Sequence, residues 1–394
     1  WMTEGDPGFD VFAMDVARFG DFATMAYTNA KVRENYGRRF RITFPNEELP
    51  AARPLRTTAI YDRLKTEENA VFGASYGMEH ALWFAPEGEE PAETPTYRRS
   101  NAFEPAKAEC RAVREAVGMT ETAIFAKYEV TGPEAESWLS HLLANRMPRE
   151  GRLVLTPMLN PAGKIIGDFT VAKAGPERFF IFGSGIAEDY HMRWFERHLP
   201  ETGVTLRCRS RDMHGFIVAG PKSRELLARL TDADVSNAGF PFMDFRRLDL
   251  GMVSAWVGRI NFTGDLGYEL WVAPDDLRRL YDDLLAAGAE TDLFRIGGFD
   301  IGLRAQMDVA RQAVDDHRVG VFRQGDDALG LADDGNAHGA GDDDDMAGRR
   351  AVLEDEAAQV PAGIVEQFGR AHGARDKNGV GGQLFLPGSD VIAH

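Results

Sequence analysis

One pattern occurs twice in this chain and limits what it can fold into. Val130-Thr-Gly-Pro133 leads into a stretch with apolar Trp138, Leu139 and Leu142. Val218-Ala-Gly-Pro221 leads into another with Leu226, Leu227 and Leu230. Both read as strand, Gly-Pro turn, helix, with proline in the first turn, where a missing N–H costs nothing. The pattern points to two related α+β units packed together. The competing explanation is chance reuse of a favourable helix start.

The first unit contains MLNPAGKIIGDFTV, from Met158 to Val171. Asn160, Pro161, Ala162 and Gly163 supply turn chemistry between two strands. Beyond the turn, Ile165, Gly167, Phe169 and Val171 share one face, and Ile166, Asp168 and Thr170 share the other. A carboxylate at such a position must be hydrogen-bonded, paired or facing water, because burying it alone is too costly. Asp168 is therefore the leading candidate for chemistry, against the blander role of a structural carboxylate. The missing side chain of Gly167 is expected to leave room beside it. Asn160 is either a turn former or a group that holds Asp168 or a ligand.

The surrounding pattern predicts a helix over 105–117 with a stripe of Ala106, Cys110, Val113 and Val117, and strands over 123–130, 153–159, 164–172 and 178–183. A later stretch reads as strand, turn at 263–267, strand through Val272 and a helix to Ala287. Glu269 sits in that second strand. It is either solvated or placed to accept two N–H donors from a flat heterocycle. Arg259 and Tyr268 either support this hairpin or touch the same ligand. The run GSGIAEDYHMRWF, 183–195, reads as a binding rim entering a helix and carries Tyr190.

Several functions are disfavoured. With a net charge of -17 over 394 residues, nucleic acid is not an expected partner. Two cysteines, Cys110 and Cys208, make no disulfide framework, and both are expected to be buried or half-buried. His191 lacks a regularly spaced ligand set, so no metal site is expected. Phe182-Gly-Ser-Gly185 lacks the third glycine of a dinucleotide fingerprint. There is no P-loop, no G-x-S-x-G elbow, no signal peptide and no 18-residue apolar run. A cytoplasmic location and no membrane partner are the expectation.

The two ends differ from the middle. Residues 1–56 read as a connector or arm, and 57–290 as the main folded region. Residues 291–394 read as a divergent segment, either a mobile Asp/Gly-rich tail or an aberrant sequence, with a helix expected over 301–314. Trp1 is not a natural start, so the chain reads as a piece of a longer polypeptide.

From about Tyr61 to Ala287 the chain resembles the tetrahydrofolate-binding aminomethyltransferase family, the T-protein of the glycine cleavage system. It resembles still more the C-terminal half of dimethylglycine and sarcosine dehydrogenases. The stretches KYEVTGPEAESWLSHLLANRMP, LTPMLNPAGKIIGDFTVAK, VAGPKSRELLARLT and RINFTGDLGYELWV carry the likeness. It implies an α+β aminomethyltransferase-like folate-binding fold built of related α/β units. The family's strand-borne acid falls on Asp168, and its G-[FY]-E acid falls on Glu269, expected to grip the pterin edge. Tyr190 falls on the wall of the folate funnel, and Asn160, Arg259 and Tyr268 are added as cofactor contacts. In the glycine-cleavage branch an aspartate stands at the position of Gly167. That branch's D-V-S-H-M segment is Glu121-Thr-Ala-Ile-Phe125 here, which argues against a lipoyl-carrying partner. The expected run L-R-L-E-K-G is incomplete around Arg304.

The resemblance implies tetrahydrofolate-dependent one-carbon transfer from an N-methyl amine-derived iminium or formaldehyde, giving 5,10-methylenetetrahydrofolate. Expected partners are a methylated amine and a flavoprotein domain or subunit. FAD is expected only on an absent domain or a partner. Two alternatives stay open: a flavin-independent O- or S-demethylase using tetrahydrofolate, and a non-catalytic folate-fold binding module.

Overall fold

The computed structural model describes residues 19–44, 47–261, 263 and 266–297. The helix expected over 301–314, Arg304 and the acidic tail lie outside the described residues. The order is α1 (Met25–Gly37), α2 (Tyr61–Thr66), β1 (Ala70–Ser75), β2 (Met78–Phe84), α3 (Phe103–Glu115), β3 (Val117–Glu121), β4 (Phe125–Thr131) and α4 (Ala135–Leu142). Then come β5 (Leu153–Leu159), β6 (Ile165–Gly175), β7 (Arg178–Ser184), α5 (Glu188–Arg197), β8 (Thr205–Cys208), β9 (His214–Ala219) and α6 (Ser223–Ala228). The rest is β10 (Phe245–Leu250), β11 (Val253–Gly258), β12 (Gly267–Val272), α7 (Pro274–Gly288) and β13 (Leu293–Arg295). This is the α+β class the sequence implies.

Both copies of the repeated pattern adopt one geometry. β4 and β9 run into Gly132 and Gly220, whose φ angles are +126° and +127°. A Cβ at Gly132 would lie 2.3 Å from the Gly203 carbonyl oxygen, and one at Gly220 would lie 2.5 Å from that of Ala116. Only glycine fits both the backbone angle and the space. The helices then start alike: the Ala135 N–H donates to the Gly132 carbonyl at 3.1 Å and the Ser223 N–H to that of Gly220 at 3.0 Å.

The likeness extends to the sheets. One has the order β5-β6-β7-β4-β8 and the other β10-β11-β12-β9-β3-β13. In each, the strand before the Gly-Pro turn pairs antiparallel with the last strand of its hairpin series, β4 with β7 and β9 with β12. On their other side the units differ. β8 completes the first from within, whereas β3, from before the first unit, completes the second and takes β13 in parallel.

Each sheet is covered on one face by helices. α4 and α5 pack Trp138, Leu139 and Phe195 on Tyr128, Val130 and Phe179. α2, α6 and α7 pack Leu64, Leu226, Leu277 and Leu284 on Phe216, Val218 and Leu270. The remaining faces turn to each other, with Phe180 and Phe182 against Phe245, Trp256 and Trp271. Each such ring contributes about 1.5–3 kcal/mol by leaving water.

Three details depart from the expectation. α3 stops at Glu115, and Val117 opens β3 instead of closing the stripe. The buried stripe includes Glu109, whose carboxyl accepts N–H groups of Phe84 at 3.0 Å and Gly297 at 2.9 Å; burial pushes it up to about 7. The β1–β2 hairpin turns at Tyr76 and Gly77 with φ of +53° and +75°, the left-handed pair a two-residue hairpin favours. Cys208 is exposed and Cys110 half-buried, and among the described residues neither forms a disulfide.

Candidate functional site

Asp168 lies on β6 opposite Pro157 of β5. The alternation expected from the sequence holds: Gly167, Phe169 and Val171 are buried while Ile166, Asp168 and Thr170 are not. The buried face is the one under α5. Thr170 pairs with Phe182, and Ala172 and Phe182 pack in the cluster that contains Trp271. Asp168 therefore stands on the face of its sheet that is turned to the second sheet, at the end where this face opens to solvent. Its side chain is exposed, so no buried partner has to offset its charge.

The room expected at Gly167 is occupied. A Cβ there would lie 2.5 Å from His191 Nε2 and 2.9 Å from the Phe169 ring. His191 packs edge-on to Phe169, 4.8 Å between centroids, and its Nε2 donates to the Ile166 carbonyl at 3.2 Å. Gly167 thus admits a histidine that ties α5 to the strand carrying Asp168, and not a ligand. Burial holds the imidazole down at about 4, so it is neutral near pH 7.

Asn160 builds the hairpin turn. Its Oδ1 accepts the N–H groups of Ala162 at 3.0 Å and Lys164 at 2.9 Å. This Asx arrangement fixes the turn two strand-pairs from Asp168 and leaves the side-chain NH2 outside it. Tyr190 is half-buried at the start of α5, its ring 5.9 Å from that of His191 and 5.7 Å from the Arg193 guanidinium.

Glu269 pairs with Gly258 of β11 and Ile217 of β9, on the same face of β12 as Trp271. Phe182 stacks on Trp271 at 4.5 Å, so Asp168 and Glu269 belong to the two sheet faces that meet. Glu269 retains some contact with solvent, yet its surroundings are apolar enough for burial to push the carboxyl up to about 8. Among the described residues it has no hydrogen-bond partner.

Arg259 and Tyr268 are not on that face. Arg259 donates to the Phe240 carbonyl at 2.8 Å and to Asn237 Oδ1 at 2.6 Å, clamping the loop before β10. Tyr268 is fully buried on the helix side of its sheet, stacked on Phe240 at 6.0 Å. A cleft on that same outer side is lined by Ile60, Leu64, His80, Glu121, Tyr281 and Arg295, and contains none of the six expected residues.

Sequence reasoning missed Lys127. It lies on β4 beside Phe182 and is fully buried. Its ammonium is 3.4 Å from the Ala123 carbonyl and 5.6 Å from the centre of the Trp271 ring. Burial pulls it down to about 7, opposed by Glu188, Cys208 and Glu121. Nearby Glu121 is pushed up to about 7 by burial, and His214 down to about 4 by burial and by Lys127. Glu129, on the same strand face, has Arg178 and Arg209 at 2.6 Å. Lys127 has no such carboxylate among the described residues. Phe125, Lys127 and Glu129 alternate with Ala126, Tyr128 and Val130, and that alternation reads as one wet face. The second sheet covers it instead.

Among the described residues no group of three or more His, Cys, Asp or Glu is placed to hold a metal ion, and no helix is long and apolar enough to cross a membrane.

Comparison with known proteins bears on all of this. Residues 60–309 match the GCVT N-terminal domain family, and residues 4–58 match the FAD dependent oxidoreductase central domain. The second match corrects the expectation that any FAD-related part is absent: such a segment lies within this chain. The glycine fingerprint used in the sequence analysis marks a pyrophosphate-binding turn, and its absence says nothing of a central domain. The described part of that segment includes α1, which buries no residue of its own and is held by Lys31 donating to the Leu49 carbonyl at 2.7 Å; further along the segment, Arg53 pairs with Glu79 of β2 at 2.7 Å.

The chain is 32% identical over 302 residues to mitochondrial dimethylglycine dehydrogenase of Homo sapiens, covering 76% of this chain and 35% of that protein. It is 27% identical to mitochondrial sarcosine dehydrogenase of Homo sapiens, covering 75% and 37%. It thus spans about a third of the length of these relatives. The glycine cleavage system aminomethyltransferase T of Bartonella henselae shares the fold, with a TM-score of 0.50 at 18% identity over 62% of this chain and 60% of that one. Sequence match, sheet order and shared fold lead to one conclusion: the chain belongs to the GCVT N-terminal domain family and carries an aminomethyltransferase-like domain homologous to part of the dimethylglycine and sarcosine dehydrogenases.

Proposed function

We propose that this chain is the tetrahydrofolate-binding half of a dimethylglycine or sarcosine dehydrogenase-like system. In it, a one-carbon unit from an oxidised N-methyl amine, as iminium or formaldehyde, ends as 5,10-methylenetetrahydrofolate. The observation that carries the proposal is Asp168, exposed on the inter-sheet face of β6 within the matched residues. When bound, tetrahydrofolate supplies the nitrogen pair, N5 and N10, that takes up the carbon.

The residues present fit such a ligand. Glu269 is a partly enclosed carboxyl with no protein partner among the described residues, and flat heterocyclic N–H donors would satisfy it. Asp168 accepts the proton shed by the acceptor amine or stabilises positive charge as the donor amine leaves. An ordinary carboxylate is a weak base, so positioning contributes more than basicity. Asn160 holds the hairpin that presents Asp168 and offers its NH2. Tyr190 lines the approach. Arg259 and Tyr268 support the ligand face from behind, through the 237–244 loop and the core.

Titrating tetrahydrofolate into the purified chain tests binding, and analysing the folate product tests the reaction. Saturable binding with methylenetetrahydrofolate formed from formaldehyde is the expected result. No binding would overturn the proposal, and 5-methyltetrahydrofolate formed from an O- or S-methyl donor, with no enzyme-dependent product from formaldehyde, would replace it by the demethylase alternative.

A further inference from the structure

We infer that Lys127 is a covalent carrier for the one-carbon unit, a buried amine that captures formaldehyde as a methylene iminium. This rests on the proposed folate function and deepens it.

Three observations lead there. Lys127 shares its sheet face with Asp168, since Thr170, two residues along β6, pairs with Phe182, and Phe182 pairs with Lys127. It is enclosed, with Nζ held at one carbonyl and over one indole. It also has no counter-charge within bonding distance among the described residues, while Glu129 on the same face has two. An uncompensated buried ammonium costs several kcal/mol, and the group escapes that cost by shedding its proton. The free amine is then a nucleophile toward carbonyl carbon. Its enclosure selects the partner: an aldehyde of two heavy atoms is the smallest of its class. The titratable groups around Nζ are Glu121, Glu188, Cys208 and His214.

The step balances without a redox partner. The Lys127 lone pair attacks the carbonyl carbon to give a carbinolamine, which takes up a proton and loses water to leave N-methylene iminium. Attack on that carbon by an acceptor secondary amine, whose proton Asp168 accepts, gives an aminal. A proton taken up by the Lys127 nitrogen then lets the acceptor lone pair break the carbon–Lys127 bond, which leaves the methylene as an iminium on the acceptor and returns the lysine amine free for another cycle. Water-free surroundings protect the iminium from hydrolysis.

The test is reductive methylation of the whole chain at pH 7 with isotopically labelled formaldehyde and cyanoborohydride, followed by peptide mass mapping of each lysine. Burial pulls Lys127 down to about 7, whereas an ordinary lysine is less than a thousandth neutral at this pH, so even with its free-amine advantage of several hundredfold cut back by enclosure it should outrun exposed Lys164 by about tenfold or more. Excess tetrahydrofolate added with the formaldehyde should lower the Lys127 label by at least a comparable factor while leaving Lys164 labelled. Lys127→Arg, which places a long polar side chain over Trp271 but forms no iminium, should keep folate binding and lose formaldehyde-dependent transfer. Lys127 unlabelled while Lys164 and Lys222 are fully methylated overturns the carrier role. So does undiminished transfer in Lys127→Arg. Calorimetry with tetrahydrofolate on the same sample separates the two levels: binding with no Lys127 label removes the carrier only, whereas absent binding removes the folate function itself.

Discussion

The ring of Phe182 is stacked on the indole of Trp271, 4.5 Å between centroids and 18° from parallel. One belongs to the sheet that bears Asp168 and the other to the strand that bears Glu269. This contact sets the two carboxyl groups on facing surfaces, and the Lys127 ammonium lies over the same indole.

Trp271→Ala should therefore cost about 3–5 kcal/mol of stability, the range for truncating a buried aromatic, read as a lower urea midpoint. Because the loss falls between the sheets, any folded fraction should also bind folate more weakly. An equal stability loss with unchanged folate affinity would show that the stack does not set the site.

The two repeat glycines should behave as a pair. Gly132→Ala and Gly220→Ala each place a Cβ against a backbone carbonyl at a φ that L residues rarely adopt. Each should lose at least about 1–3 kcal/mol, by thermal or urea melts. A neutral outcome at one of them would break the equivalence of the units.

Gly167→Ala should cost about 1–3 kcal/mol through overpacking against His191 and Phe169. Combined with His191→Ala, the two losses should sum to less than additive, because the second substitution removes the clash of the first. Additive losses would mean that His191 is not what fills the space.

Much of this was legible beforehand. Turn residues around Asn160 and the period-two pattern after it placed Asp168 on the correct face of β6, because a one-sided burial pattern is what the sequence of that hairpin records. The Gly-Pro repeat announced two units, since glycine was demanded by close backbone approach. Three features were hidden. Lys127 reads as a solvated residue unless both faces of its sheet are known to be covered. His191 fills space at Gly167 across an intervening helix start, a contact no local pattern reports. Tyr268 and Glu269 are neighbours in sequence yet lie on opposite faces of β12, so only Glu269 meets the inter-sheet surface.

The pH dependence of Glu269 has a definite sign. The folded carboxyl keeps its proton up to about 8, while the unfolded one releases it near its ordinary value of 4.5. Between these values the folded chain binds more protons, so this group's contribution to stability falls as pH rises. Glu269→Gln removes the effect. The variant should gain on the parent between pH 5 and 8, by on the order of a few kcal/mol at the upper end, and match it near pH 4. A parallel pair of stability curves would contradict the burial of this carboxyl.

Methylene transfer by Asp168→Asn is the most direct test of the whole account. Formaldehyde and tetrahydrofolate are supplied to the parent chain and the variant, and the rate of enzyme-dependent 5,10-methylenetetrahydrofolate formation is compared alongside calorimetric affinity. The account predicts folate affinity within about tenfold of the parent and a loss of most transfer, roughly a hundredfold or more for removal of a positioned proton acceptor. Transfer at the parent rate, with folate still bound, would contradict it.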